Sequence, residues 1–196
     1  MEVTIKRPSA RERLLAAADE LFYAEGVHSV GIDRVIEHAG VAKGTLYNTF
    51  GSKDELVLAY VERRHQLRAG RVEKHIAGIE DPRERLLGVF DVLGDVFAMP
   101  DFRGCAFLNA SVEAPIAGVV KDRCDASRTW VRDLFTDLAR DAGARDPELM
   151  AHQLVMLYDG ATVSAQLDRA PNAALLARTV AAGLLDGATS GQARRA

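Results

Sequence analysis

Polar groups of several chemistries lie close together directly after the turn sequence at residues 39–41, Ala-Gly-Val. Within two helical turns the chain offers an ammonium, a hydroxyl, a phenol and an amide, together with a glycine that allows close approach of the backbone. Such groups hydrogen-bond to phosphate oxygens and to base edges in the major groove of DNA. The residues are Lys43, Gly44, Thr45, Tyr47 and Asn48. Their types and spacing indicate a surface that binds double-stranded DNA.

Two short helices must position these groups. Apolar residues at helical spacing predict one helix near 32–39 and a second near 43–49, and Gly40 permits the tight turn between them. Beyond them Ser52 and Lys53 begin a further helix, where free backbone N–H groups favour an anion such as a phosphate. This arrangement is a helix-turn-helix. The alternative is that the turn merely joins two packing helices whose polar residues form a solvated face.

The whole chain follows a helical pattern. Strand signals are nearly absent, and apolar residues recur three and four positions apart from end to end. Helix starts are marked by capping-box pairs such as Ser9 with Glu12, and by Asp-Pro pairs at 81–82 and 146–147. We expect an all-α fold of nine helices, near residues 10–25, 32–39, 43–49, 53–76, 82–98, 104–113, 116–142, 147–168 and 172–187.

Positive charge is concentrated near the start of the chain. The formal net charge is -3, which gives no overall attraction to nucleic acid. Lys6 and Arg7, followed by Arg11 and Arg13, form a basic arm that could reach the minor groove or the flanking backbone of DNA. The alternative for Lys6 and Arg7 is a solvated basic start. Nearby acidic residues nearly cancel this charge, so we expect modest non-specific affinity and reliance on dimerisation.

Residues 10–60 resemble the N-terminal domain of the TetR family of transcriptional regulators. The matching positions are residues 13–18, 21–22, 26, 39–41, 43–47, 50 and 52–56. The resemblance implies an all-helical homodimer whose second short helix enters the major groove of a DNA operator. It also implies a larger C-terminal part that binds a small-molecule effector and dimerises. We therefore expect a DNA-binding domain at 1–52, an effector-binding and dimerisation domain at 53–187, and a disordered tail at 188–196.

Two positions depart from the family pattern. The family commonly has threonine at the cap of the first short helix, where this chain has Gly31, and serine before the lysine, where it has Ala42. Glycine can begin a helix without a side-chain acceptor, so the fold is kept while two hydroxyl contacts to phosphate are lost. Carried over position by position, the groove-reading helix corresponds to 42–49 and the phosphate anchor of the next helix to Lys53. Backbone contacts should then depend on Lys43, Tyr47, Lys53 and the arm.

Three stretches of the larger half are candidates for an effector pocket. On the helix near 104–113, an amide and a carboxylate interrupt an apolar stripe, where they could orient a ligand or brace neighbouring helices. The next long helix carries a serine on its apolar face with the single tryptophan beside it, and such a tryptophan is more often core than ligand contact. A later helix carries a Tyr-Asp pair, of which one member is expected to face the cavity. The candidates are Cys105, Leu108, Asn109, Val112, Glu113, Ser127, Trp130, Tyr158 and Asp159.

The last two predicted helices combine leucines with small residues. Small residues let helices approach closely, and leucines fill the remaining interface. The family resemblance places a four-helix dimer contact here, with two helices from each subunit, which would hold two reading helices about 34 to 36 Å apart for a palindromic operator. The residues are Leu154, Leu157, Ala161 and Ala165 in one helix, and Leu176, Val180, Gly183 and Leu184 in the other.

Other classes of protein are less well supported. Cys105 and Cys124 form no Cys/His cluster, so we expect buried thiols, with a redox switch as the alternative, and neither a metal site nor a cofactor. The chain shows neither a spanning apolar run nor a signal peptide, which predicts a cytoplasmic protein that associates with the nucleoid when bound to DNA. The sequence shows no recognisable spacing of a nucleophile, a base and an orienting group, which argues against an enzyme. An interaction protein that no longer binds DNA is a further alternative, while our principal expectation is a repressor, with activation also possible.

Overall fold

A computed structural model describes residues 8–113 and 118–189 of the chain. Over these residues every regular element is an α-helix and none is a strand, which confirms the all-α prediction. Its helices in chain order are α1 (Ala10–Glu25), α2 (Ile32–Ala39), α3 (Lys43–Phe50), α4 (Lys53–Ile76), α5 (Pro82–Phe97), α6 (Ala106–Glu113), α7 (Val119–Asp141), α8 (Pro147–Leu167) and α9 (Ala173–Thr189).

Side-chain caps explain why several helices begin where the sequence predicts. At the start of α1 the Ser9 N–H donates to Glu12 Oε2 at 2.7 Å, and the Glu12 N–H donates to Ser9 Oγ at 3.2 Å. Together the two bonds satisfy backbone donors that a helix start leaves without partners. At α5 the Asp81 carboxylate accepts from two backbone N–H groups, and at α8 the Asp146 carboxylate accepts from one, each followed by a proline in the first turn.

The observed helix ends differ from the predicted ones where local backbone geometry intervenes. The helix predicted from 104 begins at Ala106, because Gly104 has a positive φ of 85° that no helical residue adopts. At its far end α9 continues to Thr189, so residues 188 and 189 of the predicted tail are helical. Residues 114–117, where the next helix was predicted to begin, and residues 190–196 of the tail lie outside the described part of the chain.

The chain packs as two compact units. The first unit contains residues up to 64 together with 106–124. Its core joins α1, α2, α3 and the start of α4 to α6 and the start of α7, with side chains such as Leu14, Phe22, Leu46 and Ala110 all buried. Burial of these apolar surfaces is what holds the short helices α2 and α3, which are too short to be stable alone. The predicted domain boundary at residue 52 stays a prediction.

The second unit contains residues 65–105 and those from 125 onward. Its core is formed by α5, α8 and α9 with parts of α4 and α7. Phe90 and Phe135 are both fully buried, and their ring centroids lie 5.7 Å apart. Leu154 and Leu185 fill the same core. This unit therefore has an apolar centre of its own, as a separate packing unit requires.

Further properties of the described residues bear on the class of protein. None of the described helices has both the length and the apolar character needed to cross a membrane. Within the same residues, no group of three or more metal-binding side chains is placed to hold an ion. Cys124 is buried, Cys105 is half-buried, and both are thiols.

Candidate nucleic-acid interface

The turn between α2 and α3 is built around a glycine in the left-handed region. Gly40 has φ 60° and ψ 46°, a conformation that a residue with a Cβ atom adopts only at a cost. Its N–H donates to the Glu37 carbonyl at 3.1 Å, and the Val41 N–H donates to the Ile36 carbonyl at 3.3 Å. These bonds satisfy carbonyls at the end of α2 and reverse the chain direction.

Arg13 on α1 holds this turn from a distance in the sequence. Its Nη1 donates to the Ala39 carbonyl at 3.2 Å and to the Gly40 carbonyl at 3.0 Å. A cation at the end of a helix also interacts favourably with the helix dipole. The sequence had suggested that Arg13 belongs to a basic arm for DNA. In the structure this guanidinium instead supports the connection between the two short helices.

The buried face of α3 fixes which of its residues point outward. Leu46 is fully buried in the core of the first unit, against residues of α1 and α2. Four of the five candidate residues on α3 are exposed on the opposite side, and the side chain of Thr45 is half-buried. Tyr47, at 47% exposure, is the bulkiest of them. The exposed residues Lys43, Gly44, Tyr47 and Asn48 therefore lie on one face of α3, which we call the α3 face.

Gly44 has no packing reason to be glycine. A Cβ atom added there would meet nothing within 4 Å. The residue is exposed and lies in the first turn of a helix, where alanine is the better helix former. Nothing within the chain therefore favours glycine at this position, whereas close approach of another molecule to the backbone would.

An acidic neighbour holds the charge of Lys43 in place. Its Nζ forms an ion pair with Asp33 Oδ1 at 2.8 Å, and both side chains are highly exposed. The hydrogen bond to Asp33 and the attraction between the opposite charges raise the pKa of Lys43 above its ordinary value. An exposed pair of this kind is weak, because water screens it. A phosphate could therefore replace Asp33 at little cost.

Lys53 is the first residue of α4 and is half-buried. Before it, the Ser52 hydroxyl accepts from the Glu55 N–H at 3.1 Å, which caps the start of α4. Lys53 also lines a cavity of about 320 Å³ in the first unit, beside Val27 and His28. A lysine at the start of a helix is well placed for an anion, since its charge adds to the positive end of the helix dipole.

The two departures from the family pattern have the predicted local effect. Gly31 and Ala42 occupy the positions before α2 and α3, both with extended backbone, and neither makes a side-chain capping bond. Of the predicted basic arm, Arg11 lies over an aromatic ring of the same unit: its guanidinium is 5.4 Å from the centre of the Phe50 ring. Arg7 and Lys6 lie outside the described residues.

A cluster of polar groups lies inside the second unit, which we call the Ser127 cluster. Ser127 is fully buried. Arg68 Nη2 donates to its hydroxyl at 2.5 Å and to its carbonyl at 2.9 Å, and His65 Nδ1 lies 3.0 Å from the same hydroxyl. The Trp130 ring completes the cluster, with the Arg68 guanidinium 5.2 Å from its centre and His65 at its edge.

Tyr158, Asp159 and Cys105 belong to the same unit. Burial raises the pKa of the Tyr158 phenol above its ordinary value, although Arg68, which hydrogen-bonds to it, acts in the opposite direction. Asp159 forms an ion pair with Arg128, in which Nη1 lies 2.5 Å from Oδ1 and Nη2 lies 2.5 Å from Oδ2. The structure thus brings together Ser127, Trp130 and Tyr158 around Arg68, while Asp159 belongs to an exposed ion pair.

The other predicted pocket residues lie on α6, in the first unit. Leu108 is 50% exposed and Val112 is 76% exposed, and Asn109 is half-buried. Glu113, at the end of α6, hydrogen-bonds to the loop between α1 and α2. The structure therefore does not bring these residues together with the Ser127 cluster in one unit.

The predicted dimer residues divide into two groups. Leu154 and Ala161 are buried in the core of the second unit, so they stabilise the single chain. Leu176 and Val180 are half exposed, Gly183 is exposed, and Leu157, Ala165 and Leu184 are half-buried. Other apolar residues on α8 and α9, which the sequence pattern did not indicate, are even more exposed, namely Met156, Leu167 and Leu175. Several of these residues border a groove of about 420 Å³ between the two helices.

Comparisons with known proteins agree with this geometry. A family model described as bacterial regulatory proteins, tetR family, matches residues 14–60, which include α2, the turn and α3. The HTH-type transcriptional activator FasR of Mycolicibacterium smegmatis is 34% identical over 159 residues, covering 80% of this chain and 68% of that protein. The chain belongs to the TetR family. It is therefore a DNA-binding transcriptional regulator of the helix-turn-helix class.

Solved structures extend the match to the whole fold. A TetR-family transcriptional regulator from Streptomyces coelicolor is 36% identical, covers 92% of this chain and 96% of its own, and superposes with a TM-score of 0.85. A regulator from Saccharomonospora viridis, solved in complex with choline, has a TM-score of 0.74 at 20% identity, with 90% of this chain and 95% of that one covered. The second likeness shows the fold alone. Regulators of the TetR family bind DNA and dimerise, and some structures contain small-molecule ligands.

Proposed function

We propose that this TetR-family regulator reads a palindromic operator as a homodimer, and that a small-molecule effector controls its binding. The observation that carries the proposal is the α3 face. A short helix held by its buried Leu46 exposes an ammonium, a phenol and an amide side by side, with a glycine among them that the chain itself does not need. This combination fits the major groove, which is wide enough to admit a helix.

Each residue of the interface has a chemical role in this proposal. Lys43 and Tyr47 donate to phosphates on one side of the groove, and Lys53 anchors a phosphate at the start of α4. Asn48 and Thr45 approach base edges, where an amide can donate and accept at an adenine. Gly44 permits the backbone to approach the DNA closely. Gly31 places the start of α2 near the phosphates, and Arg7 supplies a contact from the arm.

The dimer would form through α8 and α9. Leu176 and Val180 expose half of their surface or more, and Met156 exposes 74%. Contiguous apolar surface of this kind is expected to be covered by a partner. The predicted contact also includes Leu157, Ala165, Gly183 and Leu184, whereas Leu154 and Ala161 act from beneath it. Two copies joined here would present two α3 helices to one operator.

The effector would bind at the Ser127 cluster. An arginine, an indole and a phenol close to a buried hydroxyl can orient a polar ligand, and the surrounding core supplies apolar contact. Ser127, Trp130 and Tyr158 are the proposed contacts, with Cys105 and Asp159 nearby. The choline bound to the regulator from Saccharomonospora viridis supports a small organic molecule as the type of ligand.

Control by an effector requires unequal affinity for two states. A ligand releases the operator only when it binds the state with low DNA affinity more tightly than the DNA-competent state. The same linkage means that the operator weakens effector binding by the same factor. Release of a bound operator is the usual behaviour that we expect, which makes this protein a repressor.

Activation is the second candidate, and a specific observation favours it. FasR of Mycolicibacterium smegmatis is named a transcriptional activator. A reporter gene placed behind the operator distinguishes the two cases in a strain lacking the regulator. Expression that falls when the regulator is supplied supports repression, and expression that rises supports activation.

Selection of bound duplexes from random DNA tests the proposal. We expect recovery of an inverted repeat whose half-sites lie one helical turn apart, about 34 to 36 Å. The mass of the complex in sedimentation should correspond to an even number of chains on one duplex. Recovery of sites without any repeat, bound by a single chain, would contradict dimeric reading of a palindrome.

A further inference from the structure

The last residue of α6 is joined to the loop between α1 and α2, residues 26–31. The His28 N–H donates to Glu113 Oε2 at 2.6 Å. The His28 ring donates through Nε2 to the main-chain carbonyl of Glu113, since a carbonyl oxygen can only accept. Two hydrogen bonds therefore connect one pair of residues that lie 85 positions apart in the chain.

The loop is shaped to admit the Glu113 carboxylate. Gly26 has a positive φ of 92°, a conformation that favours glycine. A Cβ atom at this position would also lie 2.8 Å from Glu113 Oε1, closer than atoms can approach without a shift. The backbone therefore favours glycine at position 26, and a side chain there would displace the end of the Glu113 side chain.

Packing holds part of this loop and leaves His28 to its hydrogen bonds. Val30 is fully buried, and Val27 packs partly against the core of the first unit. His28 is exposed and lines the cavity of about 320 Å³ together with Val27 and Glu113. The two hydrogen bonds to Glu113 therefore restrain His28.

We propose that Glu113 is a positioning residue for DNA binding. By holding His28 it fixes the loop that leads into α2, and α2 in turn supports the α3 face through the turn at Gly40. An operator binds more tightly to a reader that is already ordered, because less conformational entropy is lost on binding. This role rests on DNA binding and needs no effector. It also differs from the predicted role of Glu113 as a ligand contact.

Fluorescence anisotropy with a labelled duplex recovered by selection measures the effect. Glu113→Ala should weaken binding about 3- to 10-fold, since it removes a charge-assisted hydrogen bond at a partly exposed site. Glu113→Gln keeps an oxygen acceptor and should recover most of the affinity. Val112→Ala is the matched control, because Val112 neighbours Glu113 on α6 and is 76% exposed. It should bind within about twofold of the wild type.

Hydrogen exchange separates positioning from general damage. Glu113→Ala should raise amide exchange in the loop, residues 26–31, and leave the second unit unchanged, while Val112→Ala changes neither. His28→Ala removes the ring bond at an exposed site and should give a smaller loss of affinity, so the test stands even if Glu113→Ala does not fold. The proposal is overturned if Glu113→Ala and His28→Ala both bind DNA like the Val112 control. Unchanged exchange of the loop in both variants would overturn it as well.

Discussion

The α3 face and the Ser127 cluster each combine a cation, an aromatic ring and a polar side chain, but the first is exposed and the second surrounds a buried hydroxyl. On the α3 face Tyr47 is 47% exposed, and Lys43 has an exposed acidic partner that it can exchange for another anion. In the Ser127 cluster the central hydroxyl is fully buried, and a guanidinium, an imidazole and an indole surround it. Exposed polar groups exchange water for an outside partner, whereas buried ones hydrogen-bond to each other until a ligand supplies other partners.

This contrast assigns different measurable quantities to the two regions. Changes on the α3 face should alter operator affinity and leave the free energy of unfolding nearly unchanged, because surface side chains contribute little to stability. Changes in the Ser127 cluster should lower the free energy of unfolding first. The contrast would be wrong if substitutions on the α3 face mainly lowered the free energy of unfolding, or if those in the Ser127 cluster left it unchanged.

Tyr47→Ala is expected to have the largest effect. Loss of this phenol from both α3 helices of a dimer removes two contacts from one complex. Operator affinity should fall about 100-fold, since each hydrogen bond to a charged phosphate contributes about 1.5 kcal/mol and the dimer loses two of them. Tyr158→Phe is the matched control in the second unit and should bind the operator like the wild type. Gel shift gives the affinities, and sedimentation shows whether the oligomeric state is unchanged.

Ser127→Val tests the buried region. The substitution removes a hydroxyl that accepts from Arg68 and pairs with His65, so buried polar groups lose a partner. The free energy of unfolding should decrease by about 2 kcal/mol, measured by chemical denaturation. Thr162→Val is the control: Thr162 is also buried, but its hydroxyl donates to a carbonyl of its own helix, that of Tyr158. A loss for Ser127→Val no greater than for this control would show that the cluster does not stabilise the unit.

Gly44→Ala should change stability and binding in opposite directions. Alanine is the better helix former, so the free energy of unfolding should rise by about 0.5 kcal/mol, while the added methyl group lowers operator affinity. Gly70→Ala on α4 is the control, since a Cβ atom there also meets nothing within 4 Å. It should gain stability with no change in DNA binding. Equal operator affinity of the two variants would contradict the proposed close approach of DNA to the backbone at Gly44.

The smallest expected effect concerns the titration of Tyr158. Burial raises its pKa above the ordinary value of 10.0, so the folded chain retains this proton where the unfolded chain has lost it. The stability that Tyr158 contributes is therefore complete below pH 10 and decreases as the pH rises beyond it. The phenolate absorbance of the wild type should show an ionisation above pH 10 that Tyr158→Phe lacks. An equal absorbance change at high pH in the two proteins would contradict the assignment.

Local features of the sequence were sufficient to predict the helices and the exposed residues of α3. Caps such as Ser9 with Glu12, and the left-handed turn at Gly40, depend on neighbours within a few residues. The α3 helix is short, so burying Leu46 determines which side chains face outward. These parts of the fold follow from helical periodicity and from the direction of side chains on a helix, both of which are local properties of the sequence.

Long-range contacts could not be predicted in the same way. Arg13 looked like part of a basic arm, yet its partners lie 26 and 27 residues further along the chain. Glu113 looked like a pocket residue, and it contacts a loop that precedes it by 85 residues. Leu154 and Leu176 occur in similar apolar patterns, but Leu154 is fully buried and Leu176 is 57% exposed. An apolar stripe does not show whether its own chain or a partner covers it.

Hydrogen exchange with and without a duplex recovered by selection tests the assignment of the α3 face most directly. Bound operator should slow amide exchange in residues 43–53 more than in any part of the second unit, because the DNA lies against α3 and the start of α4. Residues 125–130, around Ser127, should show little change. Unaltered exchange in residues 43–53 of the saturated complex, with protection elsewhere, would contradict the α3 face as the DNA reader.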